Sequence, residues 1–222
     1  MHQTKITTLL ALLFLSTTFW LSAQEKPAFA EEVKALTQKN DSLWDQNRET
    51  IVFTGSSSIR KWDNLQAAFP EHQVLNAGFG GSQASDLLYY LDTLVLRYNP
   101  SKVFIYEGDN DISAKKRPRE IIGTTKTIIA KLKAQNPDVK IVLISAKPSI
   151  SRWNLRGKYR RLNRKFKRLS KKDEALLFVD VWNPMLNGKE VKKDIFVSDG
   201  LHMNQEGYDI WFNAMQNLVN NP

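Results

Sequence analysis

The sequence contains no cysteine. This absence excludes a disulfide framework, a thiolate metal site and a cysteine nucleophile together. Histidine is also scarce, because only His72 and His202 lie outside the first 23 residues. Two histidines without cysteine leave too few nitrogen or sulfur ligands for a typical zinc site. Any histidine general base must therefore be one of these two residues.

Long apolar runs are missing from the sequence except near its N-terminus. There, Lys5 precedes an apolar run from Ile6 to Trp20, and the small residue Ala23 follows shortly afterwards. The run is short for a membrane anchor, which is the alternative interpretation. The pattern predicts a signal peptide over residues 1–23, cleaved near Ala23, and an exported domain over residues 24–222 that is periplasmic or secreted.

The composition is that of an ordinary soluble globular protein. The 222 residues are 42% hydrophobic and 25% charged, which fits one domain with a sizeable core. The formal net charge of +9 falls to +8 without Lys5. Such an excess favours an anionic partner, namely nucleic acid, lipid headgroups or acidic polysaccharide. Export makes nucleic acid the least expected of the three, so we predict no nucleic-acid partner.

Short apolar runs alternate with longer amphipathic segments along the chain. The runs are rich in β-branched and aromatic residues, as is typical of strands buried on both faces. They are Ile51–Thr54, Val74–Leu75, Val103–Tyr106, Ile141–Ser145 and Leu177–Val181. Helical spacing of apolar residues between them predicts an α/β fold: three α/β/α layers around a flavodoxin-like, doubly wound sheet of about five parallel strands.

Glycines and small polar residues follow the first four predicted strands. In a doubly wound sheet, ligands bind at the carboxyl ends of the strands. The segments that would meet at this edge are Gly55–Ser58, Asn76–Ser82, Glu107–Asp111 and Ala146–Pro148. The sequence therefore predicts a functional site there.

A serine nucleophile needs a positioned base, and His202 is the better candidate. It follows Asp199 by three residues, so that the carboxylate can orient the imidazole. The alternative is a plain helix-entry turn with Asn204 as the cap. His72 lies in a polar turn and is expected at the surface. The residues alone leave Ser56, Ser57 and Ser58 open as the nucleophile.

Four blocks in order carry a resemblance to a known family. They are "FTGSSSI" (53–59), "NAGFGGS" (76–82), "EGDND" (107–111) and "SDGLH" (198–202). Together they resemble the SGNH, or GDSL-type, hydrolase superfamily of GDSL-like lipases, acylhydrolases and platelet-activating-factor acetylhydrolase-like proteins. The resemblance covers about residues 50–215.

The resemblance implies roles for particular residues. Ser57 matches the nucleophile, and Asp199 and His202 match the remaining triad positions. The oxyanion hole would consist of the Ser57 and Gly81 N–H groups and the Asn110 amide. Two departures are Ser56 and Ser82, which stand where relatives carry aspartate.

The function that follows is an exported serine esterase without a cofactor. Its expected substrate is a small-molecule or glycan ester with a short acyl group, such as a carbohydrate acetyl ester, because no long apolar lid segment is evident. The alternative is a non-catalytic binding module with a hydrolase fold, which would bind anionic glycan or the cell envelope through its basic surface.

Residues 147–172 contain twelve Lys or Arg residues and no acidic residue. This stretch is either an anionic contact surface or a solvated helix face. Lys147 and Trp153 follow the fourth predicted strand, and Trp62 lies close behind the turn with the three serines. These side chains either contact the substrate or belong to the core, which is the more common place for such residues.

Overall fold

The computed structural model describes residues 28–221, so the predicted signal peptide lies outside the described residues. Seven strands form two sheets: β1 (Thr50–Gly55), β2 (Gln73–Gly78), β3 (Lys102–Tyr106), β4 (Lys140–Ile144), β5 (Leu176–Val179), β6 (Leu186–Asn187) and β7 (Glu190–Val191). Strands β1 to β5 form one parallel sheet in the order β2-β1-β3-β4-β5, and β6 and β7 form a short antiparallel hairpin. This confirms the predicted fold class.

Eight α-helices accompany the sheets within the described residues: α1 (Ala30–Leu43), α2 (Ser57–Arg60), α3 (Leu65–Ala68), α4 (Ala84–Leu94), α5 (Asp109–Ser113), α6 (Pro118–Gln135), α7 (Arg156–Ser170) and α8 (Gln205–Asn220). None of the helices over residues 28–221 is long and apolar enough to cross a membrane.

The sheet separates two hydrophobic clusters, since alternate strand residues point to opposite faces. Val52 and Val103 face the cluster that contains side chains of α1, α4, α6 and α7. Phe53 and Phe104 face the cluster on α2, α3 and α8, and their rings stack 4.2 Å apart. Burial on both faces explains why the central strands read as nearly unbroken apolar runs.

One local expectation is wrong. Strand β2 continues to Gly78, so Asn76 belongs to the strand and not to the loop. Residues 109–113, which follow β3, form a helical turn. The short helix after β1 begins at Ser57.

Candidate functional site

The strand order reverses between β1 and β3, and this is where open α/β sheets bind ligands. The two strand ends come unusually close. A Cβ on Gly55, whose φ is +129°, would lie 2.0 Å from the carbonyl oxygen of Tyr106. Only glycine permits this approach, which brings the turn that contains Ser57 beside the segment that contains Asn110.

Burial and hydrogen bonding separate the three adjacent serines. Ser56 and Ser58 are buried, with exposed fractions of 2% and 4%, whereas Ser57 is partly exposed. Ser57 is the first residue of α2, and its Oγ lies 3.0 Å from Nε2 of His202. Ser57 is therefore the serine that the structure places against a base.

Asp199 orients the histidine through a tight turn. One carboxylate oxygen accepts the N–H groups of Leu201 and His202 at 2.8 Å, and the other lies 2.5 Å from Nδ1 of His202. Since a carboxylate only accepts, Nδ1 holds the ring proton and Nε2 accepts from the Ser57 hydroxyl. Desolvation raises the pKa of Asp199, but these hydrogen bonds lower it by a larger amount. Its pKa therefore lies below the ordinary value. The carboxylate thus stays ionised at neutral pH.

Asn204 also caps α8, because its side chain accepts the N–H of Gly207 at 3.1 Å. The helix-entry turn and the Asp199–His202 pair were alternatives from sequence, yet both are present. His72 lies elsewhere, before β2 at the amino edge of the sheet, with Nε2 3.1 Å from Oδ1 of Asn220.

The loop after β2 has the backbone of an anion site. A side chain on Gly81 would meet open space, but the φ of +75° would strain the backbone of any other residue. Within residues 28–221, the N–H groups of Ser57 and Gly81 have no recorded hydrogen-bond acceptor. The neighbouring Gly80 N–H is already taken, since it donates to Glu32 of α1 at 2.9 Å.

Asn110 is held at both ends of its amide. Its Nδ2 donates to the carbonyl of Ser82 at 2.9 Å, and its Oδ1 accepts from Arg152 at 3.1 Å. This arrangement fixes which way the amide points. Asn110 therefore lies beside the Gly81–Ser82 backbone with its N–H groups on the loop side.

A buried carboxylate connects this asparagine to the histidine loop. Asp109 accepts from Tyr106 at 2.9 Å, Tyr159 at 2.7 Å and Arg152 at 2.5 Å, and it lies 3.8 Å from Nζ of Lys147. Burial raises the pKa of Asp109, but Lys147 and Arg152 lower it more, so it is below the ordinary value. Lys147 in turn donates to the carbonyl of Leu201 at 2.6 Å, next to His202.

Sequence reasoning missed Asp109, Arg152 and Tyr159. The one available signal was the acidic Asp109 directly after a buried strand, because a buried carboxylate requires partners. Nothing local indicated that Arg152 and Tyr159, about forty and fifty residues further on, supply them.

Of the two alternatives for Trp62 and Lys147, the structure supports the core and not a substrate contact. Trp62 is 1% exposed and packs against Tyr208 and Phe53 in the core. Lys147 is equally buried and bonds to Leu201 and Asp109, so it supports the site from within. Trp153 is partly exposed and stacks on Trp182, with ring centroids 6.0 Å apart. No group of three His, Asp or Glu side chains suited to a metal ion occurs in the described part of the chain.

The family model for GDSL-like lipases and acylhydrolases matches residues 41–210. The chain therefore belongs to the GDSL-like lipase/acylhydrolase family. No curated protein matches the sequence.

Solved structures show the same fold. A candidate acylhydrolase from Bacteroides fragilis is 25% identical, covers 84% of this chain and 95% of its own, and superposes with a TM-score of 0.72. A GDSL-like lipase from Bacteroides thetaiotaomicron is 21% identical over 84% and 96% of the two chains, with a TM-score of 0.73. A variant of an acetylxylan esterase from Geobacillus stearothermophilus is 19% identical over 78% and 95%, with a TM-score of 0.65.

Proposed function

We propose that this protein is a serine esterase that hydrolyses carboxylic esters through Ser57, His202 and Asp199. The observation that carries the proposal is the continuous chain of contacts, 3.0 Å from Ser57 Oγ to His202 and 2.5 Å from His202 to Asp199. The family supports ester hydrolysis as the reaction class. These contacts also argue against the non-catalytic binding module, which has no use for them.

In the first half-reaction, His202 Nε2 takes the proton of Ser57 as Oγ attacks the acyl carbon. The negative charge that develops on the carbonyl oxygen is held by the Ser57 and Gly81 N–H groups and by the Asn110 amide. His202 then gives its proton to the departing alkoxide, which leaves an acyl group on Ser57. Asp199 stays ionised and stabilises the imidazolium.

In the second half-reaction, water replaces the alcohol. His202 removes a proton from water, the resulting hydroxide attacks the acyl-enzyme, and the same donors hold the second oxyanion. Ser57 leaves with the proton that His202 returns. The products are a carboxylic acid and an alcohol.

Exposed apolar side chains near the triad support a short acyl group. Of the four large hydrophobic residues that are well exposed within residues 28–221, two adjoin the loop of Asp199 and His202. Val197 donates its N–H to the His202 carbonyl, and the Ile150 side chain lies against Gly200. These two side chains offer apolar contact for an acetyl-sized group. Together with the acetylxylan esterase of the same fold, they support an acetylated glycan as substrate.

Hydrolysis of p-nitrophenyl esters from acetyl to long acyl tests the proposal. Ser57→Ala should lower kcat by about 10³-fold or more, because the nucleophile is lost. Ser56→Ala and Ser58→Ala are matched controls on the buried neighbours and should keep most of the activity. Unchanged turnover in Ser57→Ala would refute the triad, and a clear preference for long acyl chains would refute the substrate class.

We also propose that the protein is exported. The support is the sequence pattern of residues 1–23, in which Lys5 and an apolar run precede Ala23. N-terminal sequencing of the protein recovered outside the cytoplasm checks this, with a mature start near Gln24 as the expected result.

A further inference from the structure

Helix α7 carries positive charge that nothing in the described protein neutralises. Eight of its fifteen residues are Lys or Arg, and none is acidic. None of these eight cations forms an ion pair with a carboxylate within residues 28–221. Arg156, Arg160, Arg164 and Arg168 follow one another at four-residue spacing, where like charges destabilise a helix. Glu or Gln at some of these positions would remove the repulsion between the arginines, yet the sequence has arginine at all four.

Four of the cations line two adjoining clefts beside α7, the narrower one against the edge strand β5 and the wider one against the β6–β7 hairpin. The wider cleft has a volume of about 600 Å³ and the narrower one about 250 Å³. Both clefts include Arg160, Trp182 and Asn183, so they form one continuous groove, the α7 groove. Its cationic wall consists of Arg156, Arg160, Arg164 and Lys167.

Acidic residues in the groove are few. Asp180 lines the narrower cleft, but its carboxylate already accepts the N–H groups of Trp182 and Asn183. Glu190 lines the wider cleft, where Lys189 also lies. The groove as a whole therefore attracts anions.

One end of the groove adjoins a segment that contacts Asn110. Trp153 lines the wider cleft, and the guanidinium of Arg156 lies 5.5 Å from the centre of its ring. The residue before Trp153 is Arg152, which donates to the amide oxygen of Asn110. The wider cleft is therefore the end of the groove that is linked to Asn110.

We propose that the α7 groove binds an acidic polysaccharide chain, one whose sugars carry carboxylates. Arginine forks pair with carboxylates. The amide nitrogen of Asn183 donates to Asp180, and its amide oxygen can accept from a sugar hydroxyl group. The choice of a polysaccharide over other polyanions rests on the proposed esterase function, because the bound chain must also present an acyl ester to Ser57.

A membrane surface fits this groove poorly. Helices that bind lipid headgroups pair a basic face with exposed apolar side chains that enter the bilayer. In the described part of the chain, the four well-exposed large hydrophobic residues are Leu43, Tyr89, Ile150 and Val197, and none belongs to α7. The concave shape also suits a single chain better than a planar surface.

The test is binding of polygalacturonate, which carries no acyl ester, to the Ser57→Ala protein by calorimetry at low and high salt. Arg160→Gln with Arg164→Gln should weaken binding about tenfold, since two charge-assisted contacts are lost. The matched control is Arg161→Gln with Arg168→Gln, which removes the same charge from the same helix outside the groove and should change affinity less than about twofold. Neutral xylan should not bind.

Equal weakening by the two double variants would overturn the groove, because it would mean that only net charge matters. Stronger binding to anionic lipid vesicles or to single-stranded DNA than to polygalacturonate would overturn the choice of partner. Because the ligand has no ester and the protein no nucleophile, these outcomes are independent of whether the proposed hydrolysis is correct.

Discussion

Ser56, Ser57 and Ser58 carry the same hydroxyl group, and only their surroundings separate them. Sequence reasoning from the residues left the choice open, and the resemblance to the hydrolase family pointed to Ser57. The structure supplies the physical reason: the backbone of the strand-to-helix turn buries Ser56 and Ser58 and aims Ser57 at His202. A turn geometry of this kind depends on contacts between β1 and β3, which no local pattern contains.

Position along the chain does not show in which direction a side chain points, and this is why Trp62 and Lys147 could be taken for substrate contacts. Trp62 and Lys147 both follow strand ends, as the site residues do, yet both point into the protein. Lys147 was unexpected in the interior, because a buried ammonium is stable only with partners such as Asp109 and the Leu201 carbonyl. Such partners become visible only once the strands are assembled.

Glu107 is a residue-scale feature with a measurable consequence. Its Oε1 lies 2.7 Å from Ser82 Oγ, which in turn lies 3.3 Å from the Phe79 carbonyl, and its Oε2 has no partner within residues 28–221. Desolvation raises the pKa of Glu107 well above its ordinary value, and the Ser82 hydrogen bond offsets only part of this. The neutral carboxyl can donate to Ser82 while Ser82 donates to Phe79.

Because the folded protein keeps this proton where the unfolded chain has lost it, stability falls as pH rises above the ordinary glutamate pKa. We expect Glu107→Gln, which is neutral throughout, to match the parent at pH 4 and to be more stable at pH 8, by on the order of 1 kcal/mol. Urea denaturation at both pH values measures this. The exposed Glu71→Gln is the control, and a gain that is the same at both pH values would contradict the explanation.

At the scale of elements, the sequence predicted the five-stranded sheet and the helical segments between its strands. Apolar runs buried on both faces and apolar residues at helical spacing are local signals, and they were sufficient. The error fell at the end of β2, where a polar residue can belong either to the strand or to the loop. Asn76 is in β2 because its backbone pairs with Phe53 of β1, which is a contact between two elements.

The segment between β4 and α7 supplies a residue that holds the Asn110 side chain in place, which the sequence did not indicate. Its Arg152 contacts both the Asp109 carboxylate and the Asn110 oxygen. We expect Arg152→Lys to keep the charge beside Asp109 but to leave the Asn110 amide held only by the Ser82 carbonyl. Since an amide held at one end is a less well positioned donor to the proposed oxyanion, kcat should fall about 10- to 100-fold with KM nearly unchanged.

Steady-state kinetics on a short-chain p-nitrophenyl ester measures this effect. Asn110→Ala sets the scale, because it removes the donor and should cost about 10²- to 10³-fold in kcat. Arg161→Lys on the exposed face of α7 is the matched control and should be unchanged. An Arg152→Lys protein with normal kcat but reduced unfolding free energy would show that Arg152 is only structural.

At the scale of the whole molecule, the distribution of charge has an effect that contact geometry alone does not show. The chain has a formal net charge of +9, and α7 concentrates eight cations on one helix. Surface ion pairs are weakened by salt, and most proteins therefore gain little stability from added NaCl. On α7 the effect of salt on stability has the opposite sign, because salt would weaken a repulsion between like charges and not an attraction.

We expect the melting temperature to rise by a few degrees between about 20 mM and 500 mM NaCl, since each relieved like-charge pair contributes about 0.2–0.5 kcal/mol. Arg161→Gln with Arg168→Gln removes part of the repulsion, so it should melt higher than the parent at low salt and respond less to NaCl. Lys39 and Lys126 are exposed cations outside α7 and form no ion pair within residues 28–221. Replacing them, Lys39→Gln with Lys126→Gln, is the comparison that separates this helix from general surface charge. If NaCl changes the melting temperature of all three proteins equally, the repulsion is not concentrated on α7. If the melting temperature of the parent falls with NaCl, attractive ion pairs dominate over the repulsion.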